Sequence, residues 1–235
     1  EEMQKAEAAR LAEAAKAKVE AAPPTPQGRD AWRAHLDQAL PHLKNMLNAG
    51  SGNNADLLQR EAAQIRTLQQ PPRGDRRMAR SLNQDGLDAF RKNAYPRAVS
   101  ILTNAASADM SDEEVANNLG FALMRSGRSN EAQANLLRSL SLNPVRSSAW
   151  FNLGQLLGGA NNENGAYSAF LLAYRFSGNQ EKTKEWLSKL AQEDPDSRVR
   201  AAAKRALGST SARSAPAPSS PPAPAAPASA MAMDP

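Results

Sequence analysis

VANNLGFALMRSG, from Val115 to Gly127, returns as SAWFNLGQLLGGA, from Ser148 to Ala160. The pair Leu119-Gly120 becomes Leu153-Gly154 thirty-four residues later, and the same step backwards from Gly120 lands on Gly86. Two further sets of positions keep that step: Ala98, Ala132 and Ala166, then Leu102, Leu136 and Phe170. Three registers that agree over three copies define an internal repeat, and a period of this size belongs to supersecondary units stacked in a row. Each copy has a small residue in its first half, then an alanine and a large apolar residue in its second. That order suits two closely packed helices joined by a turn.

A helix-turn-helix unit with this period and these small positions resembles the tetratricopeptide repeat. The third copy matches the family pattern most fully, with Trp150, Leu153, Gly154, Ala166, Phe170 and Ala173, and the second has Pro144 at its closing turn. The first copy departs from it, with Asp85 where the family prefers Leu and no closing proline. The resemblance implies an all-α, right-handed helical-repeat solenoid of three helix pairs, and a function in binding rather than in catalysis. The expected role is a non-enzymatic protein–protein interaction adaptor that takes an extended peptide or partner segment in its concave groove. The alternative is a structural assembly subunit of a bacterial envelope complex, docked through a helical hairpin that precedes the repeats.

Composition narrows the chemistry. The 235 residues contain no cysteine, which excludes disulfides, thiolate metal sites and cysteine nucleophiles. Aromatics make up only 5%, and alanine supplies much of the 41% that is hydrophobic, so small-residue helix packing is expected rather than a large sheet core. No run of eighteen apolar residues is present, so nothing in the sequence reads as a membrane span. Net charge is +5, much of it from Arg73, Arg76, Arg77 and Arg80 around the single acid Asp75. No aromatic is interleaved there to stack on bases, so nucleic acid is not expected as a partner, and the cluster reads as a solvated hinge. The tripeptide Arg73-Gly74-Asp75 carries no weight, because three residues recur by chance.

Residues 1–29 read as a charged helical spacer and Pro-rich linker, since Ala, Glu, Lys and Arg favour helix and Pro23 to Pro26 ends it. Such a stretch resembles the stalk that follows a membrane anchor in some bacterial envelope proteins. With the chain starting at Glu1, that gives the expectation of a periplasmic protein with an upstream anchor or signal, a cytoplasmic location being the alternative. Residues 30–70 form a helical hairpin outside the 34-residue register, with Asp30 as N-cap, a stripe of Trp32, Leu36, Leu40, Leu43 and Leu47, and an interruption at Pro41. A basic linker, 71–79, leads to three repeats over 80–178. Ser111 to Glu114 has the capping-box spacing for the second repeat, and Gly158-Gly159 should loosen the end of a helix in the third. A capping helix pair, 179–208, has Asp194-Pro195 opening its second helix, and 209–235 is an Ala, Pro and Ser tail expected to be disordered.

No nucleophile elbow, phosphate loop, zinc-protease motif or dinucleotide fingerprint occurs, so neither enzyme chemistry nor a cofactor is expected. His35 and His42 are the only histidines, and seven helical residues rise about 10.5 Å, too far for one ion to bridge. Both read as ordinary surface or interface histidines. The family resemblance places the residue before each Leu-Gly position on the concave face, which here gives Gln84, Asn118 and Asn152, expected as a solvent-facing column of amides. Leu87, Phe90, Phe121, Met124 and Phe151 supply apolar contact beside them, with Arg91 and Arg125 at the edge. A side-chain amide both donates and accepts, so such a column suits the backbone of an extended peptide.

Overall fold

The computed structural model describes residues 26–52 and 54–211. The spacer before Pro26 and the tail after Ser211 lie outside the described residues. Those described form ten helices and no strand: α1 Pro26–Gly50, α2 Ala55–Thr67, α3 Arg76–Arg91, α4 Tyr95–Ala108, α5 Glu113–Arg125, α6 Ser129–Leu142, α7 Ser147–Gly159, α8 Glu163–Arg175, α9 Gln180–Glu193 and α10 Ser197–Ser211. None of them is long and apolar enough to cross a membrane.

The period has a steric cause. A β-carbon on Gly86 would lie 2.6 Å from Leu102, one on Gly120 2.8 Å from Leu136, and one on Gly154 2.6 Å from Phe170. Each first helix of a repeat therefore has a notch, and the large residue of its partner helix fills it. The pairs α3/α4, α5/α6 and α7/α8 are locked in this way, and Leu102, Leu136 and Phe170 are fully buried. The turns keep the register too: Asn93, Gly127 and Asn161, each thirty-four residues from the next, are the described residues with positive φ. Glycine and asparagine tolerate that left-handed conformation best, which fixes where each first helix stops.

The repeats begin earlier than the sequence reading placed them. Asp75 accepts a hydrogen bond from the Met78 amide at 2.9 Å and caps α3, so half of the basic stretch is a helical turn rather than a hinge. Two of its four arginines form ion pairs. Arg76 meets Asp109 at 3.0 Å, and Arg80 meets Asp112 at 2.5 Å and also pairs with Glu114. Both aspartates are 0% exposed, which is why they carry partners. Asp109 also accepts from the Gly74 amide, at 3.1 Å, and from the Ser111 amide and hydroxyl. Ser111 is thus bound to Asp109, and the cap of α5 is Asp112, which accepts from the Glu114 and Val115 amides.

The hairpin is not detached. Ala39, Leu43 and Met46 of α1, with Leu58, Ala62 and Ile65 of α2, belong to the same core as the repeats, and the pair packs on the second helices α6 and α8. α1 runs unbroken through Pro41, because the proline faces solvent and the buried residues on either side hold the helix in place. Asp30 lies inside this helix rather than at its cap. His35 is 2% exposed, with Nδ1 3.0 Å from the Gln69 carbonyl oxygen and Nε2 2.9 Å from that of Ser141, so it clamps the hairpin to α6. Arg138 of α6 stacks on Trp32 at 5.4 Å, and burial pushes its guanidinium down to about 10 despite the charges of Asp109 and Asp112. His42 binds Glu61 at 2.6 Å. The face that packs on the solenoid is therefore His35, Ala39, Leu43 and Met46, and of the stripe expected from the sequence only Leu43 is buried.

The terminal pair is rearranged. Asp194 ends α9, and Asp196, not Asp194, receives the first amide of α10, from Arg198 at 2.9 Å. α10 runs to Ser211, past the expected end, and it packs along both α7 and α8, where a further repeat's first helix would lie. Gly158 is the reason. Instead of loosening α7 it opens a notch that receives Val199 of α10. α9 is then left to fold across the concave side.

Candidate binding groove

The first helices α3, α5 and α7 line the concave side, and α9 forms its far wall. Between them lies a cleft of about 440 Å³. At one end Phe90 contacts Tyr95 and Phe121, with ring centroids 5.0 and 5.2 Å apart, and Arg125 lies 5.9 Å from the Tyr95 ring. At the other, Phe151 contacts Phe170 at 5.6 Å and Trp186 of α9 at 5.9 Å. Asn117, Asn118 and Asn152 form the floor between these two aromatic lobes, beside Gln155.

The floor is bonded rather than open. Asn152 Nδ2 donates to Asn117 Oδ1 at 3.0 Å, Asn117 Nδ2 to Asn118 Oδ1 at 3.1 Å, Asn118 Nδ2 to Asn83 Oδ1 at 3.0 Å, and Asn83 Nδ2 to Glu114 Oε1 at 3.2 Å. Asn118 is 2% exposed and Asn152 9%, so they do not form the solvent-facing column expected from the sequence. Helix positions 34 apart share a face, but the amides reach neighbours 35 apart and close on one another. Gln84 is exposed and hydrogen-bonds Asp88 at 3.2 Å, outside the cleft. Leu87 is buried and Met124 packs on the core, so neither lines it. Phe90, Arg91, Asn118, Phe121, Arg125, Phe151 and Asn152 do line it.

Charge gathers at the rim. Arg91 pairs with Asp88 at 2.5 Å, while Lys189, Glu193 and Asp194 come from α9 and its exit. Burial raises the Asp194 carboxyl above the ordinary value, against the lowering effect of the hydrogen bond from the Asp196 amide and of the charges of Arg200 and Arg125. Sequence reading missed the α9 residues because the degraded last pair gives no hint that its first helix turns inward. It missed Tyr95 because that residue stands at a turn. Among the described residues no group of three or more His, Asp or Glu side chains is placed to hold a metal ion.

Residues 113–146, which span α5, α6 and the turn into α7, match the family model described as tetratricopeptide repeat. That segment is a tetratricopeptide repeat. No curated protein matches the chain in sequence. Among solved structures it is similar to the first such domain of Spaghetti (RPAP3) bound to an HSP90 peptide, at 18% identity and a TM-score of 0.44, covering 49% of this chain and 98% of that one. It is also similar to the Sgt2 domain of Aspergillus fumigatus, at 22% identity and a TM-score of 0.43, covering 64% and 92%. A third is pilF of Pseudomonas aeruginosa, at 20% identity and a TM-score of 0.42, covering 77% of each chain.

Proposed function

We propose that this protein is a non-enzymatic adaptor whose concave groove holds an extended segment of a partner protein. The observation that carries this reading is the cleft itself: two aromatic lobes on either side of an amide floor, in a volume within the range of about 300–1,000 Å³ usual for ligand sites. Aromatic pockets take large apolar side chains, and the open end of the amide floor, at Asn152 beside the half-buried Gln155, faces the backbone that joins those side chains. Arg125 and Lys189, both exposed, add positive charge at the rim. The periplasm is the proposed compartment, supported by the composition of residues 1–22 alone. Fractionation of cells expressing the full gene tests it, and recovery solely in the cytosol overturns it.

Photo-crosslinking in the native cell tests the groove. A benzophenone amino acid placed at Gln155 or Trp186 should trap a partner, whereas one at exposed Gln64 of the hairpin or Glu131 of α6 should not. Adducts arising only from Gln64 or Glu131 would assign the contact to the opposite face.

A further inference from the structure

Resting on the reading of the groove as a binding site, we infer that Glu114 fixes the polarity of the amide floor, so that Asn152 offers the partner an acceptor and selects a backbone N–H. Amides can turn over to exchange oxygen and nitrogen, and a chain of them has two self-consistent directions. A carboxylate removes that freedom because it only accepts. Glu114 stands at one end of the chain, paired with Arg80. Asn83 must therefore direct its Nδ2 to Glu114 and its Oδ1 to Asn118. The same sense then passes through Asn118 and Asn117 to Asn152, whose Nδ2 is committed to Asn117.

What remains at the open end is the Asn152 Oδ1. It has no hydrogen-bond partner among the described residues, on a side chain that is 9% exposed and lines the cleft. Nor is it among the fully buried unsatisfied atoms, so it keeps some exposure on a side chain that lines the groove. An acceptor held in this way, beside two aromatic lobes, rewards an N–H donor and gives nothing to a group without one. Glu114 and Asn83 act through Asn152 and are positioning residues.

The test uses two small probes on the full chain: N-acetyl-phenylalanine N-methylamide, and its counterpart in which both amide hydrogens are replaced by methyl. Affinity is read from NMR shifts of the Asn152 side-chain amide and the Trp186 indole. The wild-type chain should favour the probe with N–H groups by about five- to tenfold. In Glu114→Gln the end group both donates and accepts, the direction is released, and the preference should fall towards one while the aromatic shifts persist. Asn83→Ala, which cuts the chain but leaves Glu114 with Arg80, should lose it as well. Equal binding of the two probes by the wild-type chain, or a preference kept in both variants, overturns the inference and leaves the groove standing. If neither probe shifts any groove resonance, the groove reading fails and the inference with it.

Discussion

Gly158 of α7 and Val199 of α10 are in such close contact that a β-carbon on the glycine would lie 2.7 Å from Val199 Cγ2 and 3.2 Å from its Cα. The neighbouring Gly159 has nothing within 4 Å. Gly158→Ala should therefore force α10 away and cost about 1–3 kcal/mol, as overpacking does. Gly159→Ala, with space around it and a better helix propensity, should be neutral or gain up to about 1 kcal/mol. Denaturant titration of the two variants checks the contrast. Equal effects would show that α10 does not sit on α7.

Trp150 is 1% exposed, and its indole N–H donates to the Pro144 carbonyl at 2.8 Å. Trp150→Ala should cost about 3–5 kcal/mol, the usual figure for truncating a buried large aromatic. Trp150→Phe keeps most of the volume and strands the carbonyl, so a smaller loss of about 1–3 kcal/mol is expected. A loss under about 1 kcal/mol for the alanine variant would contradict the packing of the third repeat.

Acid should weaken the joint between the first two repeats. Burial pushes the Asp109 carboxyl up, but hydrogen bonds from Ser111, Gly74 and Arg76 outweigh it and hold the group below the ordinary value of 3.8. The proton is thus bound less tightly in the folded chain than in the unfolded one. The stability contributed is complete above the ordinary value and is lost as pH falls through the lower folded value. Asp109→Asn should flatten that part of the curve of stability against pH. An acid limb identical to that of the wild type would show that Asp109 does not contribute to it.

The His35 ring lies between the carbonyls of Gln69 and Ser141, within hydrogen-bond distance of each. Replacement of His35 by alanine should cost about 1–3 kcal/mol, because the carbonyl that accepts from the ring N–H loses its donor and the buried ring leaves a gap against α6. Limited proteolysis should then cut near Pro71 and Pro72 sooner than in the wild type. Unchanged cleavage would mean that the apolar core alone keeps α1 and α2 in place.

The repeat architecture was legible because steric fit repeats: the notches at Gly86, Gly120 and Gly154 and the residues that fill them must recur with one period. Seven groove residues were legible for the same reason, since register assigns a face. Register does not say what a side chain finds on that face. Asn118 and Asn152 met other amides instead of water, so replacing them by alanine should cost stability, contrary to the expectation of a free column. The docking of α1 and α2 rests on contacts far apart in sequence, such as His35 with Ser141, and no local pattern announces them. The inward turn of α9 follows from Val199 occupying the notch at Gly158, two residues that no repeat register relates.

The groove itself is tested most directly by calorimetric titration of the wild-type chain and a Gln155→Ala, Trp186→Ala double variant with the partner recovered by crosslinking. Both side chains line the cleft and are half-buried, so circular dichroism should show the helices retained. The variant should bind at least about tenfold more weakly, equivalent to about 1.4 kcal/mol. An unchanged dissociation constant in a folded double variant would contradict it.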